Sequence, residues 1–397
     1  MIIFIRIFPV SIINRAHAHF SLLDCRQGLF VFSLNMKRKV AKFPKHIDTD
    51  FISVLRARVK DYFETNNISR YGDGGMVFKT IFMVALYFVP YLLMLVLPVS
   101  SPWLVFGAYC IMGFGVAGIG LSIMHDANHG AYSQNKVVNR MLGSLLDLVG
   151  GASITWRIQH NVLHHTYTNI DGLDEDIAPI KILRFSPHQE RYGIHRFQHL
   201  YAWFFYGLMT FSWITVKDFS QLMRYEKMGL TKSEQKPFWL LFVRMLAFKV
   251  FYYGYVLVLP LVLMPQYWLV ILLSFLTMHF IAGLMMASIF QPAHVVPDAV
   301  FPLPDSQGVM DNNWAIHQLL TTTNYAPKSR IFSWYVGGLN FQIEHHLFPN
   351  ICHVHYKKIS AIVRKTAQEF NLPYHSQPTF LAAVFNHAMM LRQLGRV

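Results

Sequence analysis

The stretch TIFMVALYFVPYLLMLVLPVSSPWLVFGAYCIMGFGVAGIGLSIM, Thr80 to Met124, carries no Asp, Glu, Lys or Arg. It is about twice the ~20 residues that a helix needs to cross a bilayer. Near its middle lies the turn cluster Pro98-Val99-Ser100-Ser101-Pro102. Backbone polar groups inside a bilayer must be satisfied within the helix itself. The run therefore reads as a helical hairpin, two spanning helices joined by a very short loop. A second uncharged run, VFYYGYVLVLPLVLMPQYWLVILLSFLTMHFIAGLMMASIFQPA from Val250 to Ala293, has the same form and turns at Pro265-Gln266. The alternative, a buried helix pair of a large soluble protein, fits the rest of the chain less well. The spans are predicted over about 80–98, 102–124, 245–264 and 267–290.

Composition agrees. The chain has 397 residues, 53% hydrophobic and only 14% charged, and its mean hydropathy is +0.31. A soluble domain is nearer a quarter charged. Three distant cysteines, Cys25, Cys110 and Cys352, offer no disulfide framework and no CxxC site. The net charge of +14 in so apolar a chain points to anionic lipid headgroups and away from nucleic acid.

The loops set an orientation. Both hairpin tips are uncharged, whereas Lys37, Arg38, Lys39, Lys42, Lys45, Arg56, Arg58, Lys60, Arg70 and Lys79 precede the first hairpin. Positive residues stay on the cytoplasmic side, so both hairpins are predicted to enter from and return to the cytoplasm. The Lys37–Lys45 cluster reads as a headgroup contact. Two weaker apolar stretches, Met141–Ile154 and Leu200–Val216, read as interfacial helices. The fold class is then all-α integral membrane: four transmembrane helices in two hairpins, interfacial helices, and a cytoplasmic helical cap. Residues 1–35 read as an extension upstream of a better start at Met36 and are expected to be dispensable. Residues 36–79 read as a basic N-terminal segment, 80–382 as the main domain and 383–397 as a tail.

Twenty histidines among so few charges need an account. A buried imidazole needs a hydrogen-bond partner or a metal. The first hairpin ends at Met124 and HDANH follows, with His125 and His129 on one helix face. Next comes QHNVLHH, in which His160 and His164 share a face and His165 sits about 100° round the helix. QIEHH places Gln342, His345 and His346 at i, i+3 and i+4. His294 follows the end of the second hairpin. Eight histidines in four places, all on one predicted membrane face, exceed the four ligands of a zinc site. Two metals are the economical reading. Imidazole suits Zn, Cu, Fe and Ni. Soluble di-iron oxygenases use Glu-x-x-His pairs, and none occurs here. A nitrogen-rich pair of irons at a membrane surface points to O2 activation on a lipid.

HDANH, HNVLHH and QIEHHLFP resemble the three histidine boxes of the membrane fatty-acid desaturases in order, spacing and placement relative to two hairpins. The resemblance covers roughly Lys37 to Ala382 and takes in GGLNFQIEHHLFP and TYTNIDGLDEDI. It implies metal ligation by His125, His129, His160, His164, His165, His345 and His346, with His294 similar to the extra histidine after the fourth span. It implies two iron ions, O2 as co-substrate, and a fatty-acyl lipid or acyl-CoA substrate given a cis double bond. The acyl chain is expected to lie in an apolar tunnel between the hairpins and the cap, which selects the bond by orientation. Glutamine in place of the first histidine of the third box marks the front-end subgroup, which desaturates between an existing double bond and the carboxyl end. Gln342 is expected to bind iron directly, through water, or not at all.

The chain departs from the subgroup in one respect: no HPGG motif of a fused cytochrome b5 domain occurs. A separate ferredoxin or cytochrome b5-type electron donor is expected, with a bacterial inner membrane as the setting. The runner-up readings are a sphingolipid long-base desaturase, a membrane di-iron lipid hydroxylase, and a receptor or transporter with structural metal. His279 reads as a hydrogen-bonded packing histidine and His317 as a surface one. Asp126 reads as a ligand-orienting carboxylate or a polar turn. Asp174, Glu175 and Asp176 read either as offering a carboxylate to the metal or as a solvated acidic loop.

Overall fold

The computed structural model describes residues 40–44, 49–98, 101–178 and 180–397. The predicted extension 1–35, and Lys37, Arg38, Lys39 and Lys45 of the basic cluster, lie outside the described residues. Helix α1 (Thr49–Thr65) precedes a first hairpin of α2 (Gly74–Val96) and α3 (Pro102–Asn128). Next come α4 (Lys136–Leu148) and α5 (Ser153–Tyr167), bent by 116° at the break between them. Two shorter helices, α6 (Gln198–Gly207) and α7 (Asp218–Lys227), lead to a second hairpin of α8 (Phe238–Leu263) and α9 (Pro265–His294). The rest is α10 (Trp314–Thr321), α11 (Gln342–Leu347), α12 (Tyr356–Glu369) and α13 (Phe380–Leu394). The described strands are a parallel pair of two-residue segments, Asn324–Tyr325 against Ser376–Gln377.

Among the described residues, α2, α3, α8 and α9 are the helices long and apolar enough to cross a membrane. The turn clusters end them as expected. Ser101 caps α3 by accepting from the Trp103 amide, with Pro102 in the first turn. The helices start earlier than the uncharged runs, however. Asp73 caps α2 through the Met76 amide at 2.9 Å, so Lys79 lies within the helix, buried, with Nζ 2.6 Å from His353 Nε2. Likewise α8 contains Lys249, whose Nζ donates to Asp218 Oδ2 at 2.6 Å and to the carbonyls of Gly150 and Trp213. A charge ends an apolar run in sequence but need not end a span when it is paired inside the protein.

The burial pattern of α2 follows the helical repeat. Met76, Met83, Tyr87, Tyr91 and Met94 are buried, while Phe78, Ile81, Leu92, Leu93 and Val96 face outward. An exposed apolar face of this length is what lipid would cover. Small residues let the spans approach closely. A Cβ on Gly113 of α3 would sit 2.8 Å from the Met278 carbonyl of α9, and one on Gly283 of α9 would sit 2.7 Å from the Gly207 carbonyl of α6. Met141–Ile154 falls across the α4–α5 bend. Leu200–Val216 is broken into α6, a short helical piece and a π segment over Trp213–Lys217. The first of these makes no straight crossing.

The histidine-bearing ends of α3 and α9 are covered by a cap. In it α1, α10, α11 and α12 bury Phe51, Leu55, Leu319, Ile343, Ile359 and Val363 against one another. The cap, α5, and the ends of α3 and α9 together enclose the site.

Candidate metal centre

Each histidine is placed by a local feature of its helix. The last turns of α3 widen into a π segment, Ile119–Ile123, before the short α-helical stretch that carries His125. His129 caps that stretch, and the two rings lie 4.8 Å apart, centroid to centroid. In α5 a second π segment, Ile158–His164, carries the middle box. Its i→i+5 pattern puts residues five apart on one face. The His165 amide accordingly bonds the His160 carbonyl, and the two Nε2 atoms lie 3.3 Å apart. An α-helix would turn His165 about 100° from His164 and about 140° from His160; the locally wider π segment instead brings it beside His160. His345 and His346 sit on α11, and His294 is the last residue of α9.

The eight imidazoles converge. The ligand nitrogens of His125, His129, His160 and His345 lie within 4.8 Å of one another, as do those of His164, His294 and His346. His165 forms a third such group with His345 and His346, so it stands between the first two. Within the first group Nε2 of His160 is 3.2 Å from that of His125 and 3.4 Å from that of His345, and His165 Nε2 is 2.9 Å from His345 Nε2. Two nitrogens each about 2.1 Å from one ion, at octahedral or tetrahedral angles, would lie roughly 3.0–3.4 Å apart.

Proton positions carry the fit further. His164 Nδ1 lies 3.1 Å from both carboxylate oxygens of Asp174. His294 Nδ1 faces the Thr321 carbonyl at 3.2 Å, and His346 Nδ1 faces Gln318 Oε1 at 2.8 Å. All of these partners accept, so each Nδ1 holds the proton and each Nε2 presents a lone pair. The Nε2 atoms of all three are buried with no protein partner. Three lone pairs meeting in a buried pocket repel one another and are costly to bury. A cation there removes both penalties. The residues present therefore fit a metal. Burial first, and neighbouring imidazoles second, hold His129, His345 and His346 well below the ordinary imidazole pKa. Neutral imidazole is the state a metal requires.

The acidic run is not solvated. Asp174 is buried, orients His164, and also accepts from the amides of Asn169 and Asp176 at 2.9 Å. Asp176 Oδ2 stands 3.4 Å from His164 Nδ1. Glu175 points elsewhere, to Tyr225, Gln221 and Arg224. Asp126 chiefly anchors the segment after the third box, accepting from the amide and Nδ1 of His353 at 3.0 and 2.8 Å. Its nearest approach to His125 Nδ1 is 3.6 Å. His317 is buried rather than on the surface, with Nε2 2.8 Å from the Thr168 carbonyl just past the middle box. His279 is a packing histidine, 2.6 Å from Tyr252 Oη and 3.3 Å from Thr210 Oγ1.

Gln342 is fully buried, and neither atom of its amide has a protein partner. Glu344, on the same helix, is held by Asn324 at 2.8 Å and Tyr374 at 3.0 Å, and burial pushes its carboxyl up to about 7. Sequence reasoning missed Gln318, Thr321 and Tyr356, whose hydroxyl is 3.2 Å from His345 Nδ1. It also missed the aromatic walls. Trp156 stacks on His160 at 4.5 Å, and Phe290 lies 5.0 Å from His164 and 5.4 Å from His294.

Comparison with known proteins agrees with this geometry. The fatty acid desaturase family model matches residues 100–378. The chain is a member of the fatty acid desaturase family. The desaturase is 37% identical to the sn-1 linoleoyl-lipid 6-desaturase of Synechocystis sp., across 87% of this chain and 96% of that protein. It is 37% identical to an acyl-lipid (8-3)-desaturase of Physcomitrium patens, across 90% of this chain and 74% of that one. A second acyl-lipid (8-3)-desaturase, from Mortierella alpina, is 33% identical across 95% and 84%. The desaturase is thus an oxidoreductase, and its histidine boxes are the buried cluster described above.

Proposed function

We propose that the desaturase is a front-end acyl-lipid desaturase that uses O2, two iron ions and electrons from a separate ferredoxin or cytochrome b5-type protein, with its site on the cytoplasmic face of the membrane. The observation that carries this is the pair of abutting nitrogen clusters, with Gln342 in the third box and the named relatives acting on acyl-lipids. His125, His129, His160 and His345 would hold one iron, His164, His294 and His346 the other, with His165 between. Bound there, iron would supply the oxidising power by which a –CH2–CH2– unit, O2, two electrons and two protons become a cis –CH=CH– unit and two waters.

The chain's own residues do the rest. Asp174, Gln318 and the Thr321 carbonyl keep the proton on Nδ1 of their histidines and so aim each Nε2 inward. Trp156 and Phe290 cover the cluster with apolar surface and exclude water. An acyl chain would lie against the apolar wall formed by Val116, Gly120, Leu146, Val149, Ile214 and Met286, with His279 and Thr210 beside it. Holding one C–C bond of that chain still selects where the double bond forms. Gln342, neutral and without a protein partner, serves to hold a water or leave one position partly open. The test is expression in a host fed defined unsaturated fatty acids, with double-bond mapping by gas chromatography. A new double bond between the existing one and the carboxyl end is expected. A methyl-end double bond, or an alcohol, overturns the reading.

A further inference from the structure

The outward face of α12 is strongly basic. Lys357, Lys358, Arg364 and Lys365 are all exposed, and its one acid, Glu369, is paired with Arg58 of α1 at 2.6 Å. Lys357, Lys358 and Lys365 have no ion-pair partner among the described residues. The inner face of the same helix packs on the third histidine box: Tyr356, Ile359 and Val363 bury against Ile343 and Leu347. Tyr356, directly before the first lysine, reaches His345 Nδ1 at 3.2 Å. The solvent-facing lysines are therefore one helix thickness, about 10–12 Å, from the box.

This face is not built for lipid. No large apolar side chain is exposed on α12 or on its neighbour α1. A helix that lies on a bilayer buries an apolar face, as α13 is equipped to do with exposed Leu381, Phe385 and Met389 ahead of Arg392 and Arg396. A water-facing basic patch one helix away from a redox site suits an acidic protein partner, drawn in by complementary charge.

We propose that the α12 face is the docking surface for an acidic one-electron carrier protein, whose electrons enter at the Tyr356–His345 side of the cluster. Each docking oxidises the carrier by one electron, and two dockings provide the pair consumed with each O2. The inference rests on the O2- and electron-consuming reading given above.

The experiment uses the full chain, purified into lipid nanodiscs and loaded with iron. Turnover is measured with a plant-type [2Fe–2S] ferredoxin, with a soluble cytochrome b5, and with dithionite as a small chemical donor. The triple variant Lys357→Glu/Lys358→Glu/Lys365→Glu should raise the KM for whichever carrier supports the parent by about tenfold or more at low salt. Its kcat, iron content and dithionite-driven turnover should match the parent, and the salt dependence of its KM should be lost or reversed. Arg392→Glu/Arg396→Glu should leave the carrier KM unchanged. A triple variant with the parent's KM and salt dependence overturns the proposal. So does one that loses only its affinity for anionic vesicles, which would assign the face to lipid, or one that loses activity equally with carrier and dithionite. If dithionite supports the parent and neither carrier does, the docking proposal fails alone. If no donor yields a desaturated product, the functional reading fails and takes this inference with it.

Discussion

Asp174→Asn separates a metal-orienting carboxylate from a merely polar loop. The Asp174 carboxylate is buried and accepts from three donors: His164 Nδ1 at 3.1 Å and the amides of Asn169 and Asp176 at 2.9 Å. Asparagine has the same shape but only one accepting oxygen. Its NH2 must face either His164 or a backbone amide, so at least one donor is left opposed by another donor. One unsatisfied buried donor costs about 1–3 kcal/mol. If the asparagine oxygen keeps to the backbone, His164 loses what holds its proton on Nδ1, and its Nε2 is no longer held as a lone pair. Loss of such an outer partner typically lowers metal affinity about 10–100-fold. The assay is a chelator titration of purified, iron-loaded protein in detergent, followed by metal analysis and by Tm with and without metal. Asp174→Asn should release iron at 10–100-fold lower chelator concentration, and its Tm should fall further in the loaded form than in the stripped form. If the chelator midpoint equals that of the parent, the proton-placing role assigned to Asp174 is wrong.

Other expectations follow from particular contacts. Gln342→Ala should keep most of the iron and lose most desaturation, whereas His345→Ala should lose both; iron content and product yield at matched expression decide, and full activity in Gln342→Ala would reduce the glutamine to packing. His317 is pushed down to about 4 by burial, against its bond to the Thr168 carbonyl, so between pH 4 and 6.5 the unfolded chain binds the extra proton. Stability from this group is therefore full above pH 6.5 and lost as pH falls, by about 2 kcal/mol at pH 5. His317→Gln should flatten the fall in Tm between pH 7 and pH 5, and an unchanged profile would count against it. Gly283→Leu puts a side chain where a Cβ already sits 2.7 Å from the Gly207 carbonyl. It should lower Tm or abolish expression, and a parent-like Tm would show that α6 and α9 are not held as closely as described.

The hairpins were legible because a bilayer sets length and polarity at once, and uncharged runs with a proline turn midway meet both conditions. Their boundaries were less so. Lys79 and Lys249 look like stops, and their partners His353 and Asp218 come from distant parts of the chain. The first box was legible through helical spacing, since the i, i+4 pair His125 and His129 shares one face of an α-helix and one nitrogen group, whereas His160 and His164 serve different groups. His165 is expected as a ligand from the resemblance, but its direction was not legible, because nothing in QHNVLHH announces the π segment that swings it beside His160. The residues that orient the ligands were harder still. An amide at 318, a carbonyl at 321 and a phenol at 356 meet histidines 28, 27 and 11 positions away, and only the fold brings them there. Asp174 reads from the sequence as a carboxylate for the metal or part of a solvated loop; that it is buried and faces His164 Nδ1 instead was not visible there.

The proposed chemistry needs two adjacent metal sites built from histidine. Metal analysis of the purified, fully active protein tests this most directly. Two irons per chain are expected, falling together with activity in His164→Ala and in His125→Ala. One zinc per chain, or no bound metal, at full desaturase activity would contradict it.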